Sequence, residues 1–164
     1  MTANRLYSPD NPVGYEITLT RQMDAPSKLV FAAWTEEQRI KQWWGPAGFD
    51  NPVCKVDARV GGKMDIHMRG PDGTVYPMTA TFTEIVPDEK IAFTSGALDD
   101  QGGILFEILH TVRFADSGMK TRLTLTAGVL TARSEGAHHI GGMEEGWSGS
   151  LDKLVAYTAR RLRR

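Results

Sequence analysis

His110 is the residue of this sequence most suited to chemistry, because it is the one ionisable member of an otherwise apolar alternation. Every second residue from Ile104 to Phe114 is apolar except this histidine. Burial without a partner lowers the pKa of an imidazole and keeps it neutral. A neutral imidazole beside a pocket can act as a general base or hydrogen-bond a ligand. The alternative is a core histidine bonded to a backbone carbonyl or to Tyr76. These two residues, His110 and Tyr76, are the candidate catalytic groups.

No metal site or cofactor is predicted. The adjacent His138 and His139 lack the i, i+4 spacing of helical metal ligands, and the sequence contains neither an HExxH nor a CxxC pattern. Their glycine-containing surroundings favour a loop over residues 131–142, whose glycines would permit it to gate a pocket. Cys54 beside a predicted strand is interpreted as a small hydrophobic residue rather than a nucleophile. A glycine-rich phosphate loop is also missing.

Composition limits the classes of protein that this chain can represent. Its 164 residues suit one domain, predicted over 14–164 after an N-terminal tail at 1–13. The net charge of −1 argues against nucleic acid as a partner, since binding phosphates requires a basic excess. The single cysteine excludes an intrachain disulfide and favours a reducing compartment. With no apolar leader or membrane span in the sequence, we expect a cytoplasmic protein without stable membrane association.

The elements that must position His110 are mostly strands. Tyr15–Arg21 alternates as a half-buried strand, and two short helices follow, the second capped by Thr35 and ended by Gly45-Pro46. The remaining strands are predicted at 55–59, 63–69, 74–86, 90–95, 104–115 and 120–130. Because short turns join them, we expect an antiparallel meander. A homodimer is compatible with the exposed edge strands of such a meander.

The C-terminal segment from Met143 to Leu162 has apolar residues at steps of three and four, which predicts a long amphipathic helix. Gly146 and Gly149 each cost about 1 kcal/mol relative to alanine in a helix interior. Their presence predicts a close approach to the sheet or to a ligand.

The dipeptide Trp43-Trp44 is a large apolar feature at a chain turn. Neighbouring side chains of a regular element do not both point into one core, so one indole is expected to pack inward and the other to cap an opening.

From Ile17 to Leu162 the sequence resembles the helix-grip superfamily of START, birch-pollen-allergen-like and polyketide-cyclase proteins. Within it, the chain resembles the branch named after the activator of heat-shock protein 90 ATPase. The resemblance rests on motifs in the family's order: Ala25-Pro26, Val30-Phe31-Ala32-Ala33-Trp34-Thr35, Trp43-Trp44-Gly45-Pro46, Val60-Gly61-Gly62-Lys63, Pro71-Asp72-Gly73, Glu84-Ile85-Val86-Pro87 and Gly146-Trp147.

The resemblance implies an α+β fold. In it, a curved antiparallel sheet of six to seven strands wraps around the long C-terminal helix, with two short helices after the first strand. The space between sheet and helix is expected to hold an apolar cavity, since small-molecule sites are mostly apolar with a few polar anchors. Methionines are favoured as ligand contacts because they adapt to shape. The residues predicted to line the cavity are Trp34, Trp43, Trp44, Met64, Ile66, Met68, Tyr76, Met78, Phe82, Phe93, Phe106, Ile108, His110, Met143, Trp147 and Leu151.

Three functions follow from the resemblance. The leading prediction is binding of a small hydrophobic or aromatic molecule. The second is a polyketide-cyclase or hydrolase-like enzyme acting on a bound hydrophobic substrate. The third is a chaperone ATPase modulator or stress-response co-chaperone. It ranks last, because the eukaryotic co-chaperone has an additional N-terminal domain and the outward-facing residues here form no apolar patch.

Overall fold

The computed structural model describes residues 12–98, 101–133 and 140–162. Three of the sequence predictions therefore lie wholly or partly outside the described residues. They are the N-terminal tail, of which only residues 12 and 13 are described, the histidine pair His138-His139, and the loop at 131–142, of which residues 134–139 are not described.

The predicted α+β architecture is confirmed. Within the described part of the chain, seven strands form one antiparallel sheet of order β1-β7-β6-β5-β4-β3-β2. The elements in chain order are β1 (Glu16–Met23), α1 (Ser27–Thr35), α2 (Glu37–Trp43), β2 (Asp50–Val56), β3 (Lys63–Arg69), β4 (Val75–Val86), β5 (Lys90–Leu98), β6 (Ile104–Ser117), β7 (Lys120–Ala132) and α3 (Met143–Leu162). Consecutive strands from β2 to β7 pair with one another, and β1 pairs with the other edge of β7.

The second strand lies earlier than the sequence predicted. It spans Asp50–Val56 rather than 55–59, with a register shift between Asp50 and Val53. The strand contains Pro52, which is tolerated because β2 is an edge strand with a shifted register. Residues after Asp57 form a turn instead, in which the Arg59 amide donates to the Asp57 carbonyl.

The predicted N-cap of the second helix is wrong. The Thr35 hydroxyl donates to the Phe31 carbonyl, 3.1 Å away, within the last turn of α1. Threonine commonly bonds back along its own helix in this way. Glu36 occupies the N-cap position of α2 without a side-chain cap.

Helix α1 is instead capped from the sheet. Its N-cap residue, Pro26, has no side-chain cap. Asp116 near the end of β6 accepts hydrogen bonds from the Ser27 amide (3.3 Å) and the Ser27 hydroxyl (2.6 Å). These bonds fix the start of α1 against the β6–β7 hairpin.

Alternation predicted the inner face of the sheet correctly over most of its length. Met64, Ile66, Leu123, Leu125 and Ala127 are all fully buried. Two predicted inward residues are exceptions, because they lie at strand ends beyond the cover of the helix. Ile104 is 53% exposed at the start of β6, next to a register shift, and Tyr76 is 46% exposed beside the β3–β4 hairpin.

Helix α3 packs its apolar residues, including Leu151 and Leu154, into the core. Arg21 on β1 binds it by donating from Nε to Asp152 (3.0 Å) and from a terminal nitrogen to Ser148 (2.8 Å). Among the described residues, no helix has the length and hydropathy needed to cross a membrane.

Candidate functional site

A pocket of about 290 Å³ lies between α3 and the sheet. Its wall combines the loop after α2, strands β3 to β6, and the first turns of α3. The lining residues are Trp44, Gly45, Pro46, Met68, Met78, Phe93, Ser95, Ile108, His110, Gly142, Met143, Gly146, Trp147 and Ser150. The wall is thus mostly apolar and aromatic, with a few polar side chains.

The two adjacent tryptophans have different positions. Trp43 is completely buried, and its indole nitrogen donates to the Ala33 carbonyl at 2.9 Å, which joins α2 to α1. Trp44 is also buried, but it forms part of the pocket wall. The prediction that only one indole would pack inward is wrong, because both belong to the same buried cluster, with ring centroids 5.3 Å apart. Helix α2 ends at Trp43 and Trp44 has an extended backbone, so the two side chains do not follow a single regular element, and Trp44 is a wall residue rather than a cap.

The sharp turn after Trp44 depends on Gly45. Its φ of +94° is a conformation that L side chains rarely adopt. A Cβ at this position would lie 3.3 Å from Phe49 Cβ and 3.4 Å from Met68 Sδ. Glycine therefore allows the loop to bring Trp44 and Pro46 against the methionine side of the pocket.

Two side chains from other elements hold this loop. Lys153 on α3 donates to the carbonyls of Trp44 (3.4 Å), Pro46 (3.2 Å) and Phe49 (3.1 Å). Asn51 donates to the Trp44 carbonyl at 2.9 Å. Partial burial lowers the pKa of the Lys153 ammonium, while Asp50 opposes that shift.

The predicted close approach of Gly146 and Gly149 is to this loop rather than to the sheet. A Cβ on Gly149 would lie 3.5 Å from the Ala47 nitrogen, and one on Gly146 would lie 3.9 Å from Pro46 Cγ. Both are ordinary van der Waals separations. Gly146 also lines the pocket, so it leaves space there that a larger side chain would fill.

Aromatic rings connect the pocket wall to the core. The Trp44 and Trp147 rings meet edge-on, with centroids 5.3 Å apart. Trp34, buried behind them, is 5.9 Å from Trp44 in a similar arrangement. The wall is therefore supported from behind by packed indole rings, which favours a preformed shape.

His110 faces the pocket from β6 and is only 3% exposed. Its ring stacks on Phe93, with centroids 4.6 Å apart and 14° between planes. Burial lowers the pKa of His110 to about 4, and the backbone of Phe93 opposes this shift only in part. Its Nδ1 is buried and has no hydrogen-bond partner among the described residues. The histidine is thus neutral near pH 7.

Tyr76, one of the two alternative partners considered for a core His110, is not bonded to it. Tyr76 is exposed, and its ring packs near Phe49, with centroids 6.0 Å apart. It does not line the pocket.

Half of the residues predicted to line a cavity do line this pocket: Trp44, Met68, Met78, Phe93, Ile108, His110, Met143 and Trp147. The others lie outside it: Trp34, Trp43, Met64, Ile66, Tyr76, Phe82, Phe106 and Leu151. Except for Tyr76 and Phe106, these are buried in the core. Phe106 packs against a second cluster that includes Tyr15 and Ile17. Alternation identifies the face of a strand, but it does not distinguish solid core from pocket wall.

Sequence reasoning missed six lining residues: Gly45, Pro46, Ser95, Gly142, Gly146 and Ser150. For Ser95 a signal was available, because it follows Phe93 by two residues and shares its face. Ser150 accompanies Gly146 and Trp147 on the inner side of α3, where its hydroxyl donates to the Gly146 carbonyl at 3.0 Å.

Nucleophilic and metal chemistry have little structural support. Burial, with a smaller contribution from Glu37, raises the pKa of the Cys54 thiol to about 11, which keeps it protonated. Within the described ranges, no three His, Cys, Asp or Glu side chains are placed to hold a metal ion.

The sequence profile of the Activator of Hsp90 ATPase homolog 1-like proteins matches residues 24–159. A search of curated proteins finds no match to this chain.

Solved structures share the fold over most of the chain. The solution structure of a protein from Arthrobacter aurescens is 26% identical, with a TM-score of 0.77, and the match covers 88% of this chain and 86% of that one. The AHSA1 protein from Silicibacter pomeroyi is 26% identical, with a TM-score of 0.73 and coverage of 89% and 99%. A protein from Rhizobium loti is 29% identical, with a TM-score of 0.70 and coverage of 88% and 97%.

Proposed function

This chain belongs to the Activator of Hsp90 ATPase homolog 1-like family, and we propose that it binds one small, largely apolar molecule in the pocket between α3 and the sheet. The observation that carries the proposal is the wall itself. Trp44, Trp147 and Phe93 provide flat aromatic surfaces, while Met68 and Met78 provide adaptable ones.

The pocket volume indicates the size of the ligand. Liquid water occupies about 30 Å³ per molecule, so 290 Å³ corresponds to roughly ten non-hydrogen atoms. A fused two-ring aromatic compound has this size and can pack against the indoles. The supporting aromatic cluster limits the rearrangement needed on binding, and less rearrangement favours affinity.

The enzymatic alternative has weaker support. Among the described residues that line the pocket, His110 is the one titratable side chain, and Tyr76 is too far toward solvent to assist it. The described lining residues therefore include no second titratable side chain that could act with His110 as a general acid–base pair. Modulation of a chaperone, a homodimer and a cytoplasmic location stay predictions from the sequence.

The proposal is tested by native mass spectrometry and by quenching of tryptophan fluorescence with naphthalene. We expect a retained small molecule or saturable binding of naphthalene by the native protein. The variant Gly146→Leu should fill the pocket and weaken naphthalene binding at least tenfold, while improving helix propensity.

Gly149→Ala is the matched control, because this glycine is on the same helix but outside the pocket lining. It should bind naphthalene like the native protein. Absence of binding to the native protein, or equal binding by Gly146→Leu, would contradict the proposal.

A further inference from the structure

We infer that the pocket selects neutral ring compounds that carry a hydroxyl group, and that His110 and Ser95 bind this hydroxyl at the inner end. The inference rests on the proposed function and names the chemical class of its ligand.

Burial of the lining residues shows which end of the pocket is closed. His110, Phe93 and Ile108 are buried, whereas Met68 and Met78 are partly exposed. Gly142, at the helix side, is exposed. A ligand that enters from the exposed side therefore presents its leading end to the imidazole of His110.

The inner end contains polar atoms without protein partners. His110 Nδ1 is buried and unpaired among the described residues. Ser95 is partly buried, and no side-chain hydrogen bond to it is found within the described ranges. A buried polar atom without a hydrogen bond costs free energy. A ligand group that bonds to it therefore contributes more binding free energy than the same hydrogen bond at an exposed site would.

The positions of the two residues suit one shared ligand atom. His110 pairs with Phe93 across β5 and β6, and Ser95 follows Phe93 by two residues on the same face. Diagonal neighbours of this kind lie about 7–8 Å apart, with their Cβ atoms somewhat closer. Side chains from both can reach one oxygen placed between them, since each hydrogen bond spans about 2.8 Å.

A hydroxyl matches these atoms better than other polar groups. It both donates and accepts, so it pairs with a neutral imidazole in either tautomer and with a serine hydroxyl. A carboxylate only accepts and carries a charge. Among the described lining residues there is no Lys or Arg, and the amine of Lys153 is engaged by loop carbonyls behind the wall. An anion would therefore lose its water without gaining a cation.

Three probes of similar size test the inference: naphthol, methylnaphthalene and naphthoate, titrated at pH 7 with tryptophan fluorescence as the readout. For the native protein we expect naphthol to bind about tenfold more tightly than methylnaphthalene, which is the effect of one hydrogen bond to a buried acceptor. Naphthoate should bind more weakly than either.

His110→Phe preserves a ring of similar size and removes the polar atom, so naphthol and methylnaphthalene should then bind equally. His67→Phe is the matched control, because His67 lies on β3, outside the pocket, and bonds to Asp65. It should keep the tenfold preference. Ser95→Ala should reduce the preference and serves as a second test if His110→Phe does not fold.

The outcomes distinguish this inference from the proposed function. Equal binding of naphthol and methylnaphthalene to the native protein overturns hydroxyl selection but leaves apolar binding intact. Tightest binding of naphthoate overturns the exclusion of anions. Failure of all three probes to bind overturns the proposed function and this inference together.

Discussion

Trp34 and Trp147 stack with ring centroids 5.8 Å apart and 22° between planes, although one belongs to α1 and the other to α3. Trp34 is in the core, and Trp147 lines the pocket. The stack therefore makes the pocket wall an outer layer of the core, so changes to the wall should alter both binding and stability.

Trp147→Ala should lower the free energy of unfolding by about 3 kcal/mol, because it removes a large packed ring. Trp147→Phe keeps an aromatic contact and should cost less, about 1 kcal/mol. Urea unfolding followed by circular dichroism measures both. Equal stability of Trp147→Ala and the native protein would show that the stack contributes nothing.

His110 should make the protein less stable at mildly acidic pH. Its pKa is about 4 in the folded protein and 6.5 for an exposed histidine, so the unfolded chain binds the proton first as pH falls. Stability should therefore be unaffected above pH 6.5, fall between pH 6.5 and 4, and level off below. Each pKa unit corresponds to about 1.4 kcal/mol, so the loss should total roughly 3 kcal/mol.

Carboxyl groups titrate near the lower end of this range. The informative quantity is therefore the difference in unfolding free energy between the native protein and His110→Phe at each pH. A difference that does not change from pH 7 to 4 would contradict the assigned burial of the imidazole.

Lys153→Met should loosen the loop after α2 while preserving the apolar stem of the side chain. Three loop carbonyls then lose the ammonium that donates to all of them. We expect the free energy of unfolding to fall by about 1 kcal/mol, because water can replace some of the lost hydrogen bonds. Hydrogen exchange of residues 44–49 should accelerate. Lys28→Met is a lysine control in which these carbonyls keep their donor, and it should leave the exchange of this loop unchanged.

Asp116→Ala should lower the free energy of unfolding by about 1 kcal/mol, since the start of α1 loses its acceptor from β6. Asp116→Asn retains an oxygen acceptor and should lose less than Asp116→Ala. Thermal unfolding of the two variants provides the comparison. If both variants lose the same amount, the charge rather than the hydrogen bonds carries the effect.

The fold was largely predictable because its signals are local or periodic. Alternation defined the inner faces of β3 and β7, and the spacing of apolar residues defined α3 to within its observed bounds, Met143–Leu162. Where the prediction was wrong, either the position of a strand in the sheet or a competing hydrogen bond within a helix overrode the expected preference. Pro52 is accommodated by an edge strand with a shifted register, and the Thr35 hydroxyl bonds within α1 rather than capping α2.

The candidate site was only half predictable, because a pocket is the space that packing leaves unfilled. Met64 and Met68 belong to the same strand face, yet Met64 is fully buried in the core and Met68 lines the pocket. No property of the two residue types separates them. The difference arises from how far α3 and the loop after α2 extend over the sheet.

The sequence by itself determined the family, the order of strands and helices, and the apolar inner face, since periodicity and turn residues act over a few positions. Only the tertiary structure decided that His110 stacks on Phe93 with Nδ1 unpaired, and that Trp44 rather than Trp43 faces the pocket. Those facts depend on contacts between residues distant in the chain, such as Trp43 with Ala33 and Lys153 with Phe49, whose distances no local pattern specifies.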